Sequence, residues 1–204
     1  GMLGSVPRLK RLDRALDILK IVRSEEPRFN LRIKGKLPDD YPWMLKREEE
    51  MNWYQVQFDR IQSDPTLNGH VYFDEWGPDV PQWFEKINYI LSVSDYEGSH
   101  QAVAEGAASG AVPTILKWDG ADQIYPSDWC YDNLESVAQA ILKQSITPHN
   151  GLKWSRIIRK RYDIKRIYKH WNKLLRTEKG LLRRFLYTLF SSSPSSAGIQ
   201  VEEE

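Results

Sequence analysis

The chain has 204 residues, a single cysteine and a formal net charge of +1. A hydrophobic share of 41%, with eight tryptophans and ten tyrosines, supports a real core and excludes global disorder. Cys130 alone excludes an internal disulfide and any CxxC-type zinc site.

No apolar run approaches the roughly 20 residues of a membrane span, and no signal peptide is visible. The expected location is therefore cytoplasmic. The small net charge hides a polarised chain. Residues 1–151 carry 16 Lys/Arg against 23 Asp/Glu, net −7, while residues 152–186 carry 13 against 2, net +11.

Gly1-Met2 reads as an expression remnant and is set aside. In "RLKRLDRALDILKIVRSE" the leucines at 9, 12, 16 and 19 fall on one helical stripe. "LRIKGK" (31–36) alternates as a strand ending at a glycine. Pro38 to Pro42 form a loop, and 44–62 reads as a long helix with a charged face. Asn68-Gly69 is a turn before the strand "HVYFDEW" (70–76), and prolines 78 and 81 open a short helix. "YILSVSDYE" (89–97) is a continuous apolar run entering a loop, as in a strand covered on both faces. "HQAVAEGAASG" follows as an alanine-rich helix stopped at Gly110, then a strand over 112–118 and a helix over 133–144. This alternation predicts a doubly wound, parallel, Rossmann-like α/β sheet. Beyond 151, two basic amphipathic helices are expected, the second capped by Asp163. A short amphipathic piece follows at 180–190, and a disordered tail from 191.

The stretch "YEGSHQAVAEGAASGAVP" (96–113) holds two acids, Glu97 and Glu105, among small residues. In a doubly wound sheet a ligand sits where strands end and helices begin, and a helix N-terminus favours phosphate. Small residues would leave room for it, with one acid near a sugar and the other at a ribose. A tight helix–sheet contact selects Ala and Gly equally well, and the pattern leaves both readings open. His100 reads either as a polar or acid–base contact beside phosphate or as an ordinary helix-start histidine. His70, His149 and His170 stand in no such pattern.

The same stretch resembles the Glu–seven–Glu signature of retaining, nucleotide-sugar-dependent group 1 glycosyltransferases, whose two-domain form is the GT-B fold. The match is to their C-terminal, donor-binding half. "LGSVPRLKRLDRALDIL" resembles that half's opening segment, with Gly4, Lys10 and Asp13 in register. "LRIKGK" and "VYFDEWGPDVPQWFEKINYILSVSDYEG" resemble its next motifs, so the likeness covers roughly residues 3–175. The resemblance implies a donor-binding domain over 3–150, basic helices over 151–190 packing on or beside it, and a tail over 191–204. It implies that Glu105 holds the ribose and that Glu97 lies at the donor sugar. Lys10 would neutralise the leaving diphosphate, with Gly4, Ser5 and Arg8 in the neighbouring loop. Gly98, Ser99, His100 and Gln101 would supply backbone contacts. No catalytic metal and no cofactor are implied; the nucleotide diphosphate sugar is a substrate.

The chain departs from the family at three places. Ser5 stands where arginine is usual, His100 where glycine is usual, and "WDGADQIYP" (118–126) replaces a glycine-rich loop. The expected function is hexose transfer to a sugar or lipid-linked acceptor by a chain that lacks its N-terminal acceptor domain and is inactive alone. The alternative is a degenerate, non-catalytic module that binds a membrane or a partner. For the basic segment, helix packing with a solvated basic face plus domain contact ranks first, a membrane surface second and nucleic acid well behind. A dinucleotide oxidoreductase is a distant third reading, since no GxGxxG follows a strand.

Overall fold

The computed structural model describes residues 1–144 and 148–176; the expected 180–190 helix and 191–204 tail lie outside them. The chain forms two compact units, Gly1–Arg159 and Lys160–Glu204. The first unit alternates strand and helix: β1 (Met2–Leu3), α1 (Leu12–Glu25), β2 (Leu31–Lys34), α2 (Glu48–Ser63), β3 (Val71–Asp74), α3 (Val80–Glu85), β4 (Tyr89–Ser92), α4 (Gln101–Ala108), β5 (Val112–Leu116), α5 (Ala121–Ile124), β6 (Cys130–Tyr131), α6 (Leu134–Lys143) and α7 (Pro148–Tyr162).

All strand pairs are parallel. One ladder runs β1-β2-β3 and another β4-β5-β6. They join where Gly1 hydrogen-bonds β4 on both sides: its nitrogen donates to the Tyr89 carbonyl at 2.6 Å, and its carbonyl accepts from Leu91 N at 2.8 Å. Across the molecule the strand order is therefore 3-2-1-4-5-6. This order corrects the setting aside of Gly1-Met2. Met2 is 1% exposed and pairs with Ile33 inside the sheet. β1 was invisible in the sequence because a strand of two residues, Met2–Leu3, has no period to read.

The central strands β4 and β5 are mostly apolar, with Ser92 and Thr114 as buried polar exceptions. Every residue of β4 and β5 is buried, as expected for a parallel sheet with helices on both faces. α1 presents Leu12, Ala15, Leu16, Ile18, Leu19 and Val22 to the core. α6 is fixed at its start by Asn133, whose Oδ1 accepts from Ser136 N at 2.8 Å. Trp154 and Ile158 of α7 bury in the same core, with Trp154 edge-on to Trp129 at 5.6 Å. The expected domain boundary at 150 thus falls inside α7.

α4 answers part of the small-residue question. It buries Ala102, Val103, Gly106 and Ala107. A Cβ at Gly106 would lie 2.8 Å from Ile90 Cβ, so the helix rests directly on β4. The tight-contact reading holds for this face. Gly98, just before the helix, differs: a Cβ there would meet nothing within 4 Å.

The second unit contains a helix, α8, over 164–176. Asp163 caps it as expected, its Oδ1 accepting from Lys165 N at 2.9 Å. No helix among the described residues is long and apolar enough to cross a membrane.

Gly106→Ala should destabilise the first unit by about 1–3 kcal/mol through overpacking against Ile90. Urea unfolding checks this. A neutral result would mean that α4 does not rest on β4 as tightly as described.

Candidate functional site

The seam between β1 and β4 is where the strand order reverses. The loop after β1 and the loop after β4 leave it side by side, at the carboxyl edge where open α/β sheets bind ligands. Four interactions tie the loop after β4 to the loop after β1 and to the start of α1. Asp95 N donates to the Leu9 carbonyl at 2.9 Å. Asp95 Oδ1 pairs with Arg11 Nη1 at 2.8 Å and with Arg14 Nη2 at 2.9 Å. Lys10 Nζ donates to Glu97 Oε1 at 2.6 Å.

The β1 loop needs special backbone. Gly4 has φ +75° and donates its N–H to the Lys34 carbonyl at 2.8 Å. Gly35 lies so close that a Cβ on it would sit 3.3 Å from Gly4 Cα. Ser5 is buried, and its carbonyl accepts from the Tyr54 hydroxyl at 2.7 Å. Arg8 is exposed and lies over the Trp53 ring, 5.2 Å from its centroid. The family arginine's place is thus held by a buried serine, while the nearest basic side chain stacks on α2.

Among the described residues, Arg11 and His100 alone are non-glycine residues at positive φ, 56° and 33°. Both flank the seam. Such conformations cost of order 1–3 kcal/mol, persist only when their surroundings over-determine them, and gather at functional sites. Arg11 is gripped by Asp13 at 2.7 and 3.0 Å and by Asp95. His100 is gripped by Ser92, whose Oγ lies 2.6 Å from Nδ1. The departure from glycine at 100 therefore leaves the helix start in the left-handed conformation that glycine would adopt.

Glu97 is largely buried, with 11% of its side chain exposed. Burial by itself would raise its pKa. The hydrogen bonds from Lys10 and from Ser94 Oγ, the latter at 2.6 Å, outweigh burial and hold it below the usual carboxylate range. His100 lies 3.6 Å from the same carboxylate oxygen, yet burial, helped by the Lys10 charge, keeps its pKa well below the usual histidine range. The imidazole is neutral, and its Nε2 is buried with no hydrogen-bond partner.

α4 begins here, left-handed at its N-cap and with no side-chain cap. The N–H groups of His100 and Gln101 have no partner among the described residues. Such unpaired groups at a helix start attract anions. Of the expected site residues, the structure brings together Lys10, Glu97, Ser99, His100 and Gln101, beside the Gly98 gap. Glu105 is exposed further along α4 and makes no side-chain hydrogen bond or ion pair among the described residues. Asp95, Arg14, Ser92 and Ser94 were not foreseen. The signal that could have found Asp95 is its place two residues before Glu97 at the end of an apolar strand.

No family model matches the sequence, and no curated protein matches it. Solved structures do match. Anabaena Alr3699/HepE in complex with UDP-glucose is 14% identical with a TM-score of 0.68, over 87% of this chain and 48% of that one. This chain has the fold of one half of a GT-B glycosyltransferase. The GT-B half is matched again in a point mutant of S. aureus TarM in complex with fondaparinux, alpha-GlcNAc-glycerol and UDP. That match is 19% identical with a TM-score of 0.59, over 85% of this chain and 35% of that one. The alpha,alpha-trehalose 6-phosphate synthase from Burkholderia multivorans is 11% identical with a TM-score of 0.64, over 89% of this chain and 43% of that one. The chain thus spans between a third and a half of these proteins.

His100 binds its proton less readily folded than unfolded. In the interval just below pH 6.5 the unfolded chain takes up more protons, so stability falls as pH falls through that interval. The melting temperature of the wild type should drop more steeply from pH 7 to pH 5 than that of His100→Gln. Parallel curves would show that the imidazole charges freely in the folded protein.

Proposed function

We propose that this GT-B half binds a nucleotide diphosphate sugar at the β1–β4 seam and serves the transfer of its hexose, with retention, to a sugar or lipid-linked acceptor. One observation carries the reading. A cation, Lys10, is held by a buried carboxylate, Glu97, directly beside the uncapped start of α4, at the point where the strand order reverses. The solved HepE and TarM complexes, which contain UDP-glucose and UDP, support the ligand class.

When the bond between the anomeric carbon and the diphosphate oxygen breaks, its electron pair stays with the diphosphate. Lys10 and the α4 N–H groups are the charges placed to receive it. Glu97 holds the Lys10 ammonium at the seam, and it reaches the donor sugar once Lys10 is shared with phosphate. Glu105, free on the exposed side of α4, accepts from the ribose hydroxyls. His100, held by Ser92, keeps its own backbone N–H and that of Gln101 at the start of α4.

Acceptor binding belongs to a second α/β domain. The apolar stripe of α8 suits that contact: Ile164, Tyr168, Trp171 and Leu175 recur at helical spacing, each more than half exposed. A second reading follows from the flanks of this stripe. Lys165, Arg166, Lys169 and Arg176 beside exposed Trp171 and Leu175 would suit an anionic membrane surface, with the enzyme cytoplasmic and peripheral.

Calorimetry with UDP and with GDP tests the main reading. One of them should bind, and Glu105→Ala and Lys10→Ala should each weaken that binding roughly 10- to 100-fold, as expected for hydrogen bonds involving a charged group. Binding of neither nucleotide would refute it. For the second reading, phosphatidylserine vesicles should sediment the protein at low salt and release it at high salt, because surface attraction is screened. Sedimentation insensitive to salt, or none at all, would leave domain contact as the role of α8.

A further inference from the structure

Tyr125 belongs to none of the motifs above and lies in the segment where the family's glycine-rich loop is replaced. It follows α5 and is buried, stacked on Trp129 with ring centroids 6.0 Å apart. Its hydroxyl donates into the α4 approach, towards the carbonyl oxygens of Ser99 at 2.8 Å and His100 at 3.1 Å. These two peptide bonds are trans; in the described chain the cis bond is Val6–Pro7. In a trans peptide the carbonyl and the following N–H point in opposite directions. Fixing the Ser99 and His100 carbonyls on Tyr125 therefore turns the N–H groups of His100 and Gln101 the other way.

Those are the two N–H groups without partners. His100 is left-handed and Gln101 opens a right-handed helix, so the pair forms the concave backbone arrangement that binds anions. Left unpinned, a non-glycine residue at φ 33° would gain by relaxing out of that conformation, and the concavity would go with it. Ser92 holds the His100 side chain, and Tyr125 holds the backbone on both sides of it.

We propose that Tyr125 is a positioning residue for the diphosphate: its hydroxyl aims the His100 and Gln101 N–H groups at the pyrophosphate and fixes the strained turn that presents them. The assignment rests on the ligand reading given under Proposed function.

Calorimetry with UDP, GDP and inorganic pyrophosphate separates the two claims. Tyr125→Phe keeps the ring and its packing. It should weaken pyrophosphate and the bound nucleoside diphosphate by the same factor, roughly tenfold. Glu105→Ala should weaken only the nucleoside diphosphate, since pyrophosphate has no ribose. A purely packing role for the hydroxyl would lower the melting temperature and leave pyrophosphate binding unchanged, which overturns the proposal. Unchanged pyrophosphate binding in Tyr125→Phe overturns the proposal, while the Glu105→Ala loss keeps the ligand reading. A wild type that binds none of the three probes overturns both. Independently of any variant, pyrophosphate titrated into the wild-type protein should shift the amide resonances of His100 and Gln101; binding that leaves them unmoved overturns the proposal.

Discussion

Asp95 is the pin of the molecule. Its backbone N–H reaches the Leu9 carbonyl, and its carboxylate reaches Arg11 and Arg14. A strand-end loop is free to move in general, and its backbone must find partners or water. Here the loop after β4 takes its partners from the loop after β1, across more than 80 residues of sequence. Lys10 and Glu97 meet because of that pairing, and Arg11 is held left-handed by it. A site assembled from two independent loops would have to order both on binding the ligand. Here both loops are ordered against each other beforehand, so a ligand at this edge would not have to order them.

The thinning of side chains around α4 has two causes at different residues. Gly106 and its neighbours are small because the helix lies on Ile90, where a methyl group has no room. Gly98 is small where nothing presses on it. Packing therefore accounts for the inner face of the helix, and open space for its approach. Of the two explanations that the sequence left in competition, the tight contact holds at Gly106, and the room at Gly98 is what the ligand reading under Proposed function uses.

His100 stands in a backbone conformation that non-glycine residues rarely adopt. Glycine enters the left-handed region at almost no steric cost, whereas histidine needs external restraint. Ser92 and Tyr125 supply that restraint, from β4 and from the segment after α5. The imidazole is buried, its pKa held well below the usual histidine range by that burial, and its Nε2 is buried without a hydrogen-bond partner. The left-handed turn at His100 is thus supported by side chains from two other elements of the fold.

By itself the sequence determined the element order, the parallel sheet, the apolar run of β4 and the Asp163 cap. All of these follow from period, turn residues and side-chain chemistry within one short window. It also pointed to Glu97, Lys10 and the 98–101 approach through the motifs that carry the family resemblance. It did not yield β1, too short to show a period, or β6, two residues between a turn and a helix. Nor did it yield Asp95 as the pin, Ser92 as the support of His100, or Tyr125. Only the tertiary structure decided these, because each acts through a partner brought near by strand order. The reversal between β1 and β4 makes neighbours of residues 9 and 95, and no local window contains both.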